Sequence, residues 1–453
     1  MKISNKLYLL FSLVCVGCSF TPVYERPEVK LPSNFSEQHQ QGESIANIKW
    51  FDIFKDQQLQ ALVKEALENN KDLKKAAARI EESSAVLGFT RSDQFPSLDI
   101  VGSANRSDLG FAFKPINSYG LFGSLSYEVD LWGKYSSATQ AGRADLFATT
   151  YGYNTLTISL ISQVADLYFR LIDIGQRVNI AEQTLKNRTH ARQIIEQRLE
   201  KGIIPELDLN QAQIEEYDVK ASLQGFKREL GLTEHALLIL LGRTEGAIAR
   251  SLVLSEKLLS QKIPTGIPAN LLVRRPDLLA LENQIKSNLS REGVAWADRF
   301  PSIDIGGTLG LASNSRLDFF DADAQSWSVG GSLFSPLLNM DRFSSRLQAQ
   351  EARTKQAKLE YENAVIKAVQ EVQDSLTEIN TFHDEYKNRQ GQVKASKNAN
   401  ILSRARYDDG VTGYLEVLDV ERSRFNSELR SSIALRSYLS SIVKLYRALG
   451  GGW

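Results

Sequence analysis

The chain repeats itself at intervals of about 205 to 208 residues, and a duplication on that scale constrains the fold more than any single residue does. Gln94-Phe95-Pro96-Ser97-Leu98-Asp99-Ile100 returns as Arg299-Phe300-Pro301-Ser302-Ile303-Asp304-Ile305. Arg198-Leu199-Glu200-Lys201-Gly202 returns as Arg406-Tyr407-Asp408-Asp409-Gly410, and Asp72-Leu73 as Asp277-Leu278. Each copy joins a helix and two strand-like segments to a long helical hairpin. Two half-protomers of one build suit a wall rather than a pocket.

The strand-like segments show period two. Tyr119, Leu121, Gly123, Leu125, Tyr127 and Val129 alternate with polar positions that include Ser124, Ser126 and Glu128, and Trp327, Val329, Gly331 and Leu333 keep the same phase. Leu98, Ile100, Gly102 and Ala104 repeat as Ile303, Ile305, Gly307 and Leu309. Each copy thus offers two strands of about ten residues, the length of a tilted transmembrane β-strand. A soluble pair of hairpins would alternate in the same way. The aromatic set Phe111, Phe113, Tyr119, Tyr127, Trp132, Phe319, Phe320, Trp327 and Phe334 favours the membrane, where such rings form interface girdles.

After each strand pair the period changes. Leu160, Val164, Leu167, Leu171, Ile174, Val178, Ala181 and Leu185 step by four and three, the apolar seam of a coiled coil, and Ala368, Val372, Ser375, Ile379, Phe382 and Tyr386 continue the pattern in the second copy. No proline interrupts 136–200 or 344–409. At 1.5 Å per residue such runs make rods of roughly 95 Å. Each ends at a glycine, Gly202 or Gly410, that can take the left-handed cap, and Pro205 suits the first turn of a returning helix. The returning helices are expected over 206–241 and 414–449. Shorter helices over 58–87 and 276–298 are expected to stack end to end on them.

Lys2 and Lys6 precede an apolar stretch, 7–16, that is too short for a membrane-spanning helix but suits a signal peptide, so export is expected. Gly17-Cys18-Ser19 resembles the lipobox of bacterial lipoproteins, with Cys15 where leucine is usual; the resemblance implies a covalent lipid on Cys18 and delivery to the outer membrane. A lipid anchors without spanning. No other segment reads as a transmembrane helix, so any crossing of the bilayer would be made by strands. Fifty-four basic residues balance 54 acidic ones, which gives no sign of a nucleic-acid partner. The four histidines are scattered, and no metal-spaced cluster or phosphate-cradling glycine motif is present. We therefore expect neither catalysis nor a cofactor beyond the lipid.

Four strands cannot close a barrel, and an open edge in hydrocarbon leaves backbone groups unpaired. Two copies would give a filled eight-stranded barrel, three a twelve-stranded one with a lumen, so a homotrimer is expected. The helices would continue it as a periplasmic tube.

The lipobox followed by Tyr24-Glu25-Arg26-Pro27, the segment Leu272-Val273-Arg274-Arg275-Pro276-Asp277-Leu278, and both turn motifs resemble the outer-membrane efflux lipoproteins of the TolC-like outer-membrane factor family over nearly the whole mature chain. The resemblance implies a trimeric 12-stranded transmembrane β-barrel of mixed α and β class, continued by an α-helical coiled-coil tunnel. It also implies an outer-membrane location in a Gram-negative cell. Its partners would be a periplasmic adaptor protein and an inner-membrane efflux pump, and its cargo drugs, metals or other small molecules. Asp208, Glu416 and Asp419 match positions near the tunnel entrance, and Tyr407 a tip residue that holds the entrance shut. Gly202 and Gly410 mark the tips that an adaptor would touch. Thr412 departs from the family, which often has arginine there. An acid at a helix start is otherwise ordinary, because the macrodipole favours it. The other reading is a periplasmic adaptor lipoprotein, which usually has a single hairpin.

The expected organisation is a signal peptide (1–17), a lipidated tether (18–57), a first helix (58–94), a strand pair (95–132) and a hairpin (133–241). A loop-rich belt (242–270) then leads to the second helix (271–299), strand pair (300–338), hairpin (339–449) and tail (450–453).

Overall fold

A computed structural model describes residues 20–32, 56–108, 110, 115–251, 254, 271–336, 338 and 340–451. Cys18, Phe111 and Phe113 lie outside the described residues. The elements are α1 (Gln57–Asn69), α2 (Lys71–Ser92), β1 (Ser97–Ser107), β2 (Ile116–Glu128), α3 (Lys134–Glu200) and α4 (Glu206–Leu241). A helical turn at Leu271–Arg274 precedes α5 (Pro276–Ala297), β3 (Ser302–Ser313), β4 (Gln325–Phe334), α6 (Met340–Asp408) and α7 (Tyr414–Ala448). The chain forms two compact units. One holds the N-terminal segment through Glu28 with Ala78–Tyr151 and Leu279–Asn363; the other holds Val29–Ala77, Gly152–Leu278 and Ala364–Trp453.

The first unit carries a four-stranded antiparallel sheet in the order β1-β2-β3-β4. The central pairing joins the two repeats, with Leu121 opposite Leu311 and Gly123 opposite Leu309. Because Leu98 faces Leu125 and Leu309 faces Trp327, the apolar positions of all four strands fall on one face. Asp99, Ser124, Thr308 and Ser328 share a row on the other, where the Thr308 and Ser328 hydroxyls lie 2.8 Å apart. Among the described residues nothing covers the apolar face: Ile100 is 82% and Val329 77% exposed. Glycine is required where β3 pairs closely with β2, since a Cβ at Gly310 would overlap the Leu121 carbonyl and Phe122 Cα.

The strand-to-helix corner explains where α3 begins. Gly133 takes φ 71°, and Asp130 accepts hydrogen bonds from the backbone N–H groups of Ser136 (2.8 Å) and Tyr135 (3.2 Å), which caps the helix. Trp132, one of the aromatic set, is tied into the protein as well. Its indole donates to the Pro301 carbonyl at 2.7 Å and its ring stacks on Phe300 with centroids 4.8 Å apart, so it is a half-buried brace at this corner.

In the second unit the seam residues Leu160, Val164, Leu171, Ile174, Val178 and Ala181 are buried, as are Ala368, Val372 and Ser375. Helix α3 also corrects the expectation that no helix is apolar enough to span a membrane: an 18-residue window reaches a mean hydropathy of 1.2. Of that window 56% is buried within the protein, where Tyr168, Phe169, Leu171 and Ile172 join the largest core cluster.

The first helix is broken rather than continuous. Asn70 leaves the helix at ψ 128°, its Oδ1 accepts from the Leu73 N–H (3.0 Å), and its Nδ2 donates to the Leu240 carbonyl (3.0 Å). The second repeat makes the same joint with different chemistry: Arg275 donates to the Ala448 carbonyl at 3.0 Å. Gly242 (φ 71°) and Gly450 (φ 89°) end the returning helices against these breaks, where a Cβ would lie 2.7 Å from Asn69 O and 3.2 Å from Arg275 Cα.

Both hairpin tips use the same cap. Gly202 and Gly410 have φ of 71° and 72°; Ile203 N–H donates to the Arg198 carbonyl and Val411 N–H to the Arg406 carbonyl, the six-to-one bond of a Schellman motif. Pro205 sits just before α4, as its N-cap in extended conformation. Gly202→Ala and Gly410→Ala should each cost about 1–2 kcal/mol, because a side chain in the left-handed region meets its own backbone. Thermal melting followed by helical circular dichroism measures this.

Candidate functional site

Within the second unit the tips of the two hairpins meet. Ile195 of α3, Ala212 of α4 and Tyr414, Val417 and Leu418 of α7 form one buried cluster, with Tyr407 of α6 packed on it. The Tyr407 and Tyr414 rings lie 5.4 Å apart, and the Arg198 guanidinium sits 5.3 Å from the Tyr407 ring. Burial pushes the Tyr414 hydroxyl well above its ordinary range. The Tyr407 hydroxyl is buried and has no hydrogen-bond partner among the described residues. Arg198 also reaches Asp408 at 3.8 Å.

The three acids differ. Glu416 lies in the first turn of α7 and is held by its own hairpin, through the Thr412 hydroxyl and Arg406 Nε at 3.4 Å. Asp208 occupies the equivalent first turn of α4 and is half-buried. Asp419 is exposed, and its charge acts on Arg422. The side chains of Asp208 and Asp419 have no hydrogen bond or ion pair among the described residues.

Sequence reasoning missed the charged clasp beside the tip cluster. Glu215 of α4 pairs with Arg188 of α3 at 2.7 Å, both side chains being at most 5% exposed, and also accepts from Arg422 of α7. One carboxylate thus ties both hairpins. Glu216 beside it binds Arg192 (2.6 Å), Thr189 (3.0 Å) and Lys220 (2.7 Å). Burial alone would raise the Glu216 carboxyl, but these hydrogen bonds outweigh it and hold it below the usual range. The available signal was the spacing of Arg188 and Arg192, one turn apart on the helix that carries the apolar seam.

In the first unit the N-terminal segment is a seated strap. Phe20 stacks on Phe300 at 5.0 Å, and the Thr21 hydroxyl lies 2.9 Å from that of Ser137. Gly293 of α5 makes the approach possible, since a Cβ there would overlap Thr21. Lys286 lies 4.8 Å from the Tyr24 ring, and Arg26 and Lys286 bind Glu282 at 2.7 and 2.8 Å. Burial pushes the Tyr24 hydroxyl up to about 12.

Burial also works against the Glu282 carboxylate, but hydrogen bonds from Lys286 and Arg26 dominate and depress its pKa. A depressed acid contributes stability above its unfolded value, about 4.3 for glutamate, and loses it as pH falls through the folded value. Glu282→Gln is therefore expected to speed amide hydrogen exchange over residues 20–28 at neutral pH. That difference from the unsubstituted protein should vanish in acid.

The model of the family described as outer membrane efflux protein matches residues 62–243 and 267–451, one stretch in each repeat. Outer membrane protein OprJ of Pseudomonas aeruginosa is 32% identical, covering 98% of this chain and 95% of its own. Cation efflux system protein CusC of Escherichia coli is 30% identical over 97% of this chain and 98% of its own. The crystal structure of the open state of the MtrE outer membrane channel of Neisseria gonorrhoeae superposes with a TM-score of 0.88 at 27% identity, covering 96% of this chain and 98% of that one. These likenesses do not support an adaptor, and they run through both repeats, the sheet and both hairpins. The chain belongs to the outer membrane efflux protein family and is an outer-membrane efflux channel.

Proposed function

We propose that three copies of the chain close a twelve-stranded barrel and that the helical hairpins continue it as a tunnel through the periplasm. The single observation that carries this is the sheet in the first unit, with one uncovered apolar face and strands β1 and β4 left with an open edge. In hydrocarbon, such edges must be paired by another copy. Twelve strands enclose a lumen, and the polar row Asp99, Ser124, Thr308 and Ser328 would line it.

A covalent lipid on Cys18 would anchor each copy. Phe20 is stacked on Phe300, two residues before β3, and two residues of chain span at most about 7 Å. Acyl chains on Cys18 would therefore enter the bilayer beside the sheet base. No chemical step is needed anywhere in transport, and no cofactor.

At the hairpin tips, Asp208, Glu416, Asp419 and Tyr407 would form the entrance. Threefold symmetry would repeat each acid around the axis, where like charges attract cations and repel one another. Asp419 is the strongest candidate, because its carboxylate is exposed and has no ion pair among the described residues, while Glu416 is already held by Thr412 and Arg406. The adaptor would meet the tips at Gly202 and Gly410, beside the exposed pairs Ile203 with Leu207 and Val411 with Leu415. An inner-membrane pump would deliver small toxic molecules, and adaptor contact would let the second hairpin move away from the first.

Conductance across a planar bilayer tests this. Asp419→Ala combined with Tyr407→Phe is expected to raise conductance and reduce cation preference. If neither changes, the gate assignment is wrong; if the unsubstituted protein passes no ions and runs as a monomer in detergent, the channel architecture is wrong.

A further inference from the structure

Within the second unit, between the clasp at Glu215 and the core cluster, α3, α6 and α7 do not close on one another. They leave a groove of about 560 Å3, a size usual for small-molecule sites. Its floor is apolar and includes Leu254, Phe425 and Leu435, all at most 6% exposed. Its walls carry two buried side chains that each keep one polar atom without a partner, although Arg188 is paired with Glu215 through its Nη1. Arg188 is 4% exposed and its Nε–H has no acceptor; Asn400 is 6% exposed and its Oδ1 has no donor, among the described residues.

Such orphans are expensive in a folded chain, since each has given up water without gaining a partner. The charges around them are short of acceptors as well. Lys397 and Arg424 share one carboxylate, Glu428, each at 3.3 Å, and Arg404 is matched by Glu421. Four cations, Arg188, Lys397, Arg404 and Arg424, thus line the groove against two carboxylates, Glu421 and Glu428, with Glu215 behind Arg188. Asn400 fits the same pattern, because its amide can present either end to a ligand.

We propose that this groove binds a small anionic amphiphile. Its apolar body would lie on Phe425 and Leu435, and its sulfonate, carboxylate or phosphate head would take the Arg188 Nε–H, the Asn400 amide and Lys397. Because α3 belongs to the first hairpin and α6 and α7 to the second, an occupant would bear on both and resist their relative movement. This places a small-molecule control point in a groove distinct from the entrance acids, and it does not depend on which cargo the channel carries.

The test is isothermal titration of the full-length protein in lipid nanodiscs with 8-anilinonaphthalene-1-sulfonate, empty nanodiscs serving as blank. N-phenyl-1-naphthylamine, the same rings without the sulfonate, is the neutral probe. One saturable site per chain is expected for the sulfonate, with the neutral probe at least tenfold weaker. Ser431→Trp should fill the groove and abolish binding, Asn400→Asp should weaken it at least tenfold, and Ser423→Trp, outside the groove, should leave it unchanged. The proposal is overturned if Ser431→Trp and Asn400→Asp bind like the unsubstituted protein or if both probes bind equally. Fewer sites than chains would also overturn it, since a second copy would then cover the groove. Ion conductance of the same nanodisc-purified protein, measured without either probe, reports on the channel reading independently.

Discussion

Gly310→Val is expected to prevent the barrel from forming. The added Cβ would occupy the space of the Leu121 carbonyl and the Phe122 Cα, and both are backbone that cannot rotate away. Overpacking in a core costs about 1–3 kcal/mol when side chains can yield. Here the strands themselves must separate, and β2 with β3 is the pairing that joins the two repeats into one sheet. Detergent-resistant oligomer on a gel and conductance in a bilayer should both be lost. Gly330→Ala is the control, because a Cβ at that position meets nothing within 4 Å. An assembled, conducting Gly310→Val protein would mean that the β2–β3 register is wrong.

Glu215→Leu is expected to cost about 3–5 kcal/mol, the usual consequence of leaving a buried charge without its partner. Arg188 is 3% exposed at its side chain and would be stranded, and the link from Glu215 to Arg422 on the second hairpin would break at the same time. Loosened tips should appear as spontaneous openings in single-channel recordings and as faster amide exchange around residues 188–195. Replacing the stranded arginine as well, with Glu215→Leu and Arg188→Met together, should recover most of the lost stability, because an apolar pair of similar volume carries no desolvation penalty. If the single substitution melts and gates normally, Glu215 is a bystander.

Much of this molecule is legible in the order of residues because its long elements depend on periodicity. The seam from Leu160 to Ala181 gives the helix, its buried face and its direction, and the strands from Tyr119 and Trp327 give their length and their apolar face. Gly202 and Gly410 mark the tips because a left-handed cap has few other solutions. The entrance acids were findable by repeat alignment, yet their surroundings were not. Thr412 and Arg406 hold Glu416, while Asp419 is free of such contacts, and nothing in local sequence distinguishes the two. The brace that Trp132 makes was not findable either, because its partner Phe300 lies in the other repeat.

Sequence by itself determined the strands, the rods and their turns, since each is set by residues within a few positions of one another, and the duplication, since it repeats those local patterns in the same order. The tertiary structure alone decided which strands pair across the repeats, that Asn70 and Arg275 make one joint by different chemistry, and that Glu215 stands between Arg188 and Arg422. Those contacts join groups far apart in the chain. Helix and strand periods repeat along the chain and can be read there, whereas a single long-range hydrogen bond or ion pair has no period to read.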